Sequence, residues 1–151
     1  GAETMFRRAL ELDPRHVSAH GNLAILLQNH RGDIDGAEAM YRRALELDPR
    51  HVDTLGNLGG LLGWKRGDWA GAERCYARVL EIDPEDRAAH YHRMLALRAI
   101  GRKGEALIAE SAYLKYQIDE SAREVTKTFL LENPEIERAA QAIQIHVPRA
   151  P

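Results

Sequence analysis

The chain has 151 residues, enough for one compact domain or a short array of repeats with a buried core. Its formal net charge is -2 and its pI about 6.4, so no overall positive field would collect nucleic acid or an anionic membrane. The single cysteine, Cys75, cannot form an internal disulfide, and no apolar run approaches the roughly 18 residues of a membrane span. These features predict an intracellular protein, with the cytoplasm as its expected compartment.

Three segments of the chain are near copies of one another. Residues 1–17 and 36–52 differ at only two positions, and a third, more divergent copy begins at Gly71. An Asp-Pro pair recurs at a step of 35 residues, at Asp13-Pro14, Asp48-Pro49 and Asp83-Pro84. A fixed period of this length predicts stacked units that share one hydrophobic core.

Each full unit is expected to contain two helices. In the first full unit, Gly32 is expected to end the first helix with a positive φ, and Asp33 to cap the second. The second helix carries an apolar stripe at helical spacing, formed by Ala37, Met40, Tyr41, Ala44, Leu45 and Leu47. Pro49 then ends it, because proline lacks a donor N–H and disfavours helix in the preceding residue. Gly67 and Asp68 repeat the same turn one unit later.

This pattern resembles the tetratricopeptide repeat family over residues 1–117. The family's Gly-Asp turn is matched by Gly32-Asp33, its Leu-Gly pair by Leu58-Gly59 and its second-helix aromatic residue by Tyr41 and Tyr76. The resemblance implies an all-α fold, a right-handed α-solenoid of stacked antiparallel helix pairs.

Two of the units are longer than the family's usual 34 residues. Each 35-residue unit therefore carries one extra residue, which we expect near the end of its first helix, at residues 29–31 and 64–66. The next unit returns to the shorter spacing and lacks the closing Asp-Pro pair, as is typical of a terminal repeat.

The repeats divide the chain into six parts. In order, these are the second helix of a truncated unit (1–14), two full units (15–49 and 50–84), a degenerate unit (85–118), two capping helices (119–147) and a frayed tail (148–151). The capping helices are expected to meet at residues 132–135, where a helix end is followed by an N-cap, an N1 proline and an acidic first turn. An alternative is that this segment docks into the groove of the array. Since the chain begins inside a unit, we expect it to belong to a longer protein.

The resemblance places the first helix of each unit on the concave face, where binding residues are expected. Asn22 and Asn57 occupy the same repeat position, and their amides can both donate to and accept from the backbone of an extended peptide. The alternative is that they tie the helix to its neighbour's backbone. The other candidates on this face are Gln28, Asn29, Trp64, Tyr91, His92 and Arg98. Trp64 is interpreted either as a binding anchor or as a packing residue between units.

The sequence contains no recognisable catalytic centre, cofactor motif or metal site. His16 and His20 are spaced to share a metal ion, but no third ligand of suitable type accompanies them. The glycine-rich stretch at residues 56–63 lacks the Gly-Lys-Ser/Thr of a phosphate loop, so its glycines are interpreted as permitting close helix packing. Cys75 is interpreted as a small, semi-buried side chain. We therefore expect no enzymatic activity.

The function favoured by these patterns is a protein-interaction scaffold that binds a peptide or helix of a partner in its concave groove. One alternative is an RNA-binding helical repeat, which the acidic pI and the scarcity of lysine and arginine at inward positions disfavour. Another is a substrate-recognition appendage of a larger enzyme such as a glycosyltransferase. The truncated first unit leaves an apolar edge, which predicts end-to-end self-association.

Overall fold

The computed structural model describes residues 1–132 and Pro134, and all regular secondary structure in that part of the chain is helical. The α-helices are α1 (Ala2–Leu12), α2 (Val17–Leu26), α3 (Ile34–Leu47), α4 (Val52–Gly60), α5 (Trp69–Ile82), α6 (Arg87–Ala99) and α7 (Lys103–Glu132). Consecutive helices from α1 to α6 pack against one another in pairs. The predicted all-α solenoid of helix pairs is confirmed. The chain divides into two compact units, Gly1–Tyr113 and Leu114–Pro151, and helices α1 to α6 lie in the first.

The second helix of each repeat begins at an aspartate cap. The Gly36 N–H donates to Asp33 Oδ1 at 2.9 Å, and the Gly71 N–H donates to Asp68 Oδ1 at the same distance. A Cβ on Gly36 would lie only 2.2 Å from Asp33 Oδ2, so the glycine leaves room for the capping carboxylate. The predicted caps are confirmed, and each one satisfies a backbone donor that would otherwise lack a partner.

The first helices of the two full units begin with a histidine instead. His16 Nδ1 accepts the Ala19 N–H at 3.1 Å, and His51 Nδ1 accepts the Thr54 N–H at 3.3 Å. In the next unit Asp86 takes this position and accepts the Ala89 N–H at 2.8 Å. Histidine is not among the residue types that usually cap a helix N-terminus, so the sequence pattern alone did not predict that His16 and His51 are caps.

The extra residue of each 35-residue unit is taken up by a π-helical turn at the end of its first helix. These turns cover Leu27–Arg31 after α2 and Leu61–Lys65 after α4, which confirms the predicted place of the insertions. Helix α6, in the unit of shorter spacing, ends without such a turn. In a π turn the hydrogen bond spans one more residue than in an α-helix, so the insertion is absorbed locally.

Glycines with positive φ end the first helices. Gly32 has a φ of 62° and Gly67 a φ of 68°, in the left-handed region that other residues rarely adopt. The predicted positive φ angles at Gly32 and Gly67 are therefore confirmed. Gly101 ends α6 in the same way, with a φ of 79°. The Arg102 N–H that follows it donates to Leu97 O at 2.9 Å.

Large side chains from the second helices pack on glycines of α4 and of the turn that follows it. A Cβ on Gly59 would lie 2.9 Å from Tyr76 Cζ, and one on Gly63 would lie 2.6 Å from Trp69 Cζ3. The interpretation of the glycine-rich stretch as a packing feature is therefore confirmed at these two positions. Gly56 differs, because a Cβ there would have no neighbouring atom within 4 Å. Cys75 lies in the same core with its side chain buried.

Helix α7 runs without interruption from Lys103 to Glu132. The predicted division between residues 118 and 119 falls inside this helix, so the structure shows no helix end there. The physical reason is that residues 103–132 contain no proline, and Gly104 lies in the first turn, where it interrupts nothing. The predicted second capping helix, apart from Pro134, and the tail lie outside the described residues.

A glutamate at the same position of α1, α3 and α5 joins one helix pair to the next. Glu38 of α3 binds Arg42 of its own helix at 2.7 Å and Arg66, at the end of the second π turn, at 2.6 Å. One repeat earlier, Glu3 binds Arg31 in the same way at 2.9 Å. Burial opposes ionisation of Glu38, but the hydrogen bonds and charges of the two arginines outweigh it and lower the pKa of this carboxyl below 4.5.

Alanine substitution at two glycines of one helix tests the packing of α4. Gly56→Ala is expected to raise the free energy of unfolding by about 0.5–1 kcal/mol, because alanine favours helix and meets no neighbour. Gly59→Ala is expected to lower it by about 1–3 kcal/mol, because its Cβ would overlap the Tyr76 ring. Urea denaturation of the two variants measures the difference, and equal stabilities would mean that the helices do not approach as described.

The pKa of Glu38 predicts a pH dependence of stability. Since the folded pKa is lowered, the ion pairs stabilise the fold above pH 4.5 and this contribution is lost as pH falls through the folded pKa. Glu38→Gln is expected to cost about 0.5 kcal/mol at pH 7, because partly exposed pairs are screened, and less at pH 3, where more of the carboxyl is protonated. Thermal unfolding at both pH values measures this, with the exposed Glu46→Gln as control. A constant difference between parent and Glu38→Gln at both pH values would contradict it.

Candidate functional site

The first helices of the repeats line a concave cavity of about 980 Å³, which we call the groove. It is formed by one face of α2 and α4, the two π turns and the first half of α6. Six of the predicted site residues line it: Asn22, Gln28, Asn29, Asn57, Trp64 and His92. The resemblance therefore anticipated which helix faces form this cavity.

The two asparagines at equivalent repeat positions are exposed in the groove. Neither amide of Asn22 or Asn57 makes a hydrogen bond to the described part of the chain, so neither helix is tied to its neighbour by them. Each amide offers two donors and one acceptor oxygen to a ligand. This arrangement suits the alternating N–H and C=O groups of an extended peptide backbone.

Glycines form much of the floor of the groove between the asparagines. A Cβ on Gly56 would meet nothing within 4 Å, and one on Gly60 would lie 3.7 Å from the Tyr76 hydroxyl. Because glycine has no side chain, nothing projects from α4 into the groove at these two positions. A ligand backbone can therefore come close to helix α4.

Tyr41 and Tyr76 reach the groove from the second helices and form its back wall. The Tyr41 hydroxyl lies 3.5 Å from Gln28 Oε1. Burial, and to a smaller extent the nearby Cys75, raises the pKa of Tyr76 to about 12. Burial also raises the pKa of Tyr41. Both phenols are therefore neutral at physiological pH. The sequence pattern indicated only a packing role for these rings, although their recurrence at the same position of successive second helices could have marked them as a periodic wall.

His92 closes the α6 end of the groove. Its ring stacks on Tyr76 with centroids 5.3 Å apart, and burial lowers its pKa although the charge of Asp86 acts in the opposite direction. The imidazole is therefore neutral at pH 7, and it adds no positive charge for an anionic ligand.

Tyr91 and Arg98 lie outside the groove, although the Tyr91 ring meets the His92 ring edge to face with centroids 5.4 Å apart. Tyr91 packs against Tyr113 with ring centroids 5.2 Å apart, and Arg98 Nη2 binds Glu110 Oε2 at 3.0 Å, both on α7. Neither residue lines the groove. The part of α7 up to Tyr113 therefore packs against the side of α6 that carries Tyr91 and Arg98, and these two candidates lie beside the groove rather than in it.

Trp64 is an exposed residue of the second π turn, with 62% of its surface accessible. It meets Trp69 edge to face, with centroids 4.8 Å apart and planes at 82°. Its other surface faces the groove, beside Lys65. Trp64 therefore packs against Trp69 on one side, and the exposed part of its ring is available to a ligand.

The histidines considered as metal ligands have separate structural roles. His16 caps α2, and His20 Nε2 lies 3.0 Å from Pro14 O, so its N–H donates to that carbonyl. Within the described residues no group of three or more potential ligands is placed to hold a metal ion. No helix in this part of the chain combines the length and apolarity needed to cross a membrane.

Two models of the tetratricopeptide repeat family match the chain, one over residues 29–97 and the other over residues 1–52. The two matches overlap and together run through all repeats from α1 to most of α6. No curated protein sequence matches the chain.

Solved structures of MamA are similar to this chain. A crystal structure of the MamA protein has 19% identity and a TM-score of 0.70, covering 80% of this chain and 64% of that one. A MamA mutant has 20% identity and a TM-score of 0.63, covering 76% and 65%. A third structure, MamA MSR-1 C2, has 17% identity and a TM-score of 0.66, covering 78% and 67%. The chain thus spans about two thirds of these proteins, and the likeness shows a shared fold.

The free amides of the groove predict that its asparagines contribute little to stability. Replacing both residues, Asn22→Ala with Asn57→Ala, is expected to lower the free energy of unfolding by no more than about 0.5 kcal/mol, since no internal hydrogen bond is lost and alanine favours helix. Urea denaturation measures this. A loss well above that value would mean that the amides hold the helices together.

Proposed function

Because the chain belongs to the tetratricopeptide repeat family, a family of protein-interaction scaffolds, we propose that it binds an extended peptide segment of a partner protein in the groove. The observation that supports this most directly is the pair of exposed, unbonded asparagine amides at equivalent repeat positions. A peptide backbone repeats its donors and acceptors along its length, so periodic amides on the protein suit it better than a compact ligand.

The floor and rim of the groove support an extended ligand over a helical one. An α-helix with side chains is about 10 Å across and would rest on the rim, whereas an extended chain fits on a floor formed by Gly56 and Gly60. Trp64 stands at the end of this floor with most of its ring exposed. We infer that it receives an apolar or aromatic side chain of the peptide, as exposed tryptophans at interfaces commonly do.

The charges of the groove favour a peptide over RNA. Its lining contains the carboxylates of Asp53 and Asp86 and one ammonium group, Lys65. RNA binding depends on several cations that neutralise phosphates, and this lining would repel a phosphate backbone. An RNA ligand is therefore the outcome that would overturn the proposal.

A display library of unbiased peptides of about twelve residues, selected on the immobilised chain, tests the proposal. We expect selected peptides to bind the parent and to lose at least about tenfold in affinity for the Asn22→Ala, Asn57→Ala variant, since two amide contacts of about 1 kcal/mol each are removed. Gly56→Leu should block the groove without disturbing the core. Arg43→Ala, on the exposed surface of α3, is the matched control and should bind normally.

Three results would contradict the proposal. One is a selection that yields no peptide sensitive to either groove variant. Another is equal loss of binding with Arg43→Ala, which would place recognition outside the groove. The third is saturable, salt-sensitive binding of single-stranded RNA that competes with the peptides.

A further inference from the structure

A second cavity, of about 490 Å³, lies between α3, α4 and α5 and shares no lining residue with the groove. Its floor is apolar and consists of Leu45, Leu55, Leu58, Leu62 and Cys75. Three guanidinium groups, those of Arg42, Arg74 and Arg78, also line it. We call it the arginine pocket. Its volume lies in the range of small-molecule sites, which combine an apolar lining with a few convergent polar groups.

Comparison with the preceding repeat shows how the pocket arises. Three of its lining positions change chemistry over one step of 35 residues: Leu55 replaces His20, Cys75 replaces Met40 and Arg74 replaces Ala39. Met40 packs against the core, whereas the shorter Cys75 side chain leaves space unfilled at the same position. Over this step the lining becomes more apolar at Leu55, smaller at Cys75 and more positively charged at Arg74.

Not every arginine of the pocket is held by an ion pair or hydrogen bond within the described residues. Arg42 binds Glu38, and Arg78 Nη2 donates to Pro49 O at 2.8 Å. Arg74 is exposed and makes no hydrogen bond or ion pair with residues 1–132. An unpaired guanidinium next to an apolar floor is a receptor for a carboxylate, which it can bind with two parallel hydrogen bonds.

The acidic groups of the lining are already bound elsewhere. Glu46 pairs with Arg43 at 2.8 Å, and Asp68 caps α5. The three arginines against these two carboxylates leave a net charge of +1 on the lining. Burial raises the pKa of the Cys75 thiol although the neighbouring arginines act to lower it, so the thiol is neutral at pH 7 and cancels none of this charge.

We propose that the arginine pocket binds a small anionic amphiphile, a carboxylate carried on an unbranched apolar chain. The apolar chain packs on Leu55, Leu58 and the space beside Cys75, and the carboxylate binds Arg74. This site is independent of the groove, so a ligand here would be carried together with a peptide partner rather than in competition with it.

Three matched probes test both parts of this site: decanoate below its micellar concentration, decyltrimethylammonium and acetate. Each is titrated into the isotopically labelled 151-residue chain while amide NMR shifts are recorded. We expect decanoate alone to shift the amides around Arg74 and Cys75 saturably, since decyltrimethylammonium has the wrong charge and acetate lacks the chain. Saturable shifts of the same amides by decyltrimethylammonium, or no saturable shift by decanoate, would overturn the proposal.

Two variants restore the preceding repeat's residues. Arg74→Ala is expected to weaken decanoate binding about tenfold by removing the charge-assisted hydrogen bonds. Cys75→Met should abolish it by filling the space that Met40 fills one repeat earlier. Arg8→Ala controls for the loss of one exposed charge, and the Asn22→Ala, Asn57→Ala variant controls for the groove; both should bind decanoate as the parent does. If Cys75→Met fails to fold, Arg74→Ala decides alone, and an unchanged dissociation constant there would refute the site.

Discussion

The stacking of the repeats depends on close contact between an aromatic ring and a glycine. Tyr76 of α5 lies against Gly59 of α4, where a Cβ would come within 2.9 Å of the ring. The same ring stacks on His92 of α6 and forms part of the groove wall. One side chain therefore joins three helices, and the shape of the binding surface depends on a contact in the hydrophobic core.

Features that depend on short-range chemistry and on repetition were predictable from the sequence. The period, the proline stops and the turn at Gly32 and Asp33 follow from backbone preferences of single residues, and each repeat supplied an independent copy of the pattern. The place of the extra residue was predictable because two long units could be aligned with a known period. The groove-lining faces followed from the resemblance, since helix order determines which face is concave.

Features that depend on contacts between distant residues were not predictable in this way. The capping role of His16 depends on which ring nitrogen points at the helix end, and the residue type does not reveal that. The position of Tyr91 and Arg98 outside the groove depends on their contacts with Tyr113 and Glu110 of α7. The continuation of α7 across the predicted boundary between residues 118 and 119 was not anticipated, because a fading repeat pattern indicated the end of a unit. Helix continuity is decided by the absence of a breaking residue, and residues 103–132 contain no proline.

The π turns allow repeats of different length to pack against their neighbours in the same way. In an α-helix each residue turns the chain by about 100°, so one added residue would rotate every later side chain of that helix away from its neighbours. Here Leu27–Arg31 and Leu61–Lys65 hold the additional residue within one wide turn, and Asp33 and Asp68 begin the next helices in phase. Units of two lengths can therefore stand side by side in one array. A repeat can gain or lose a residue at this point in evolution without losing its fit to the units on either side.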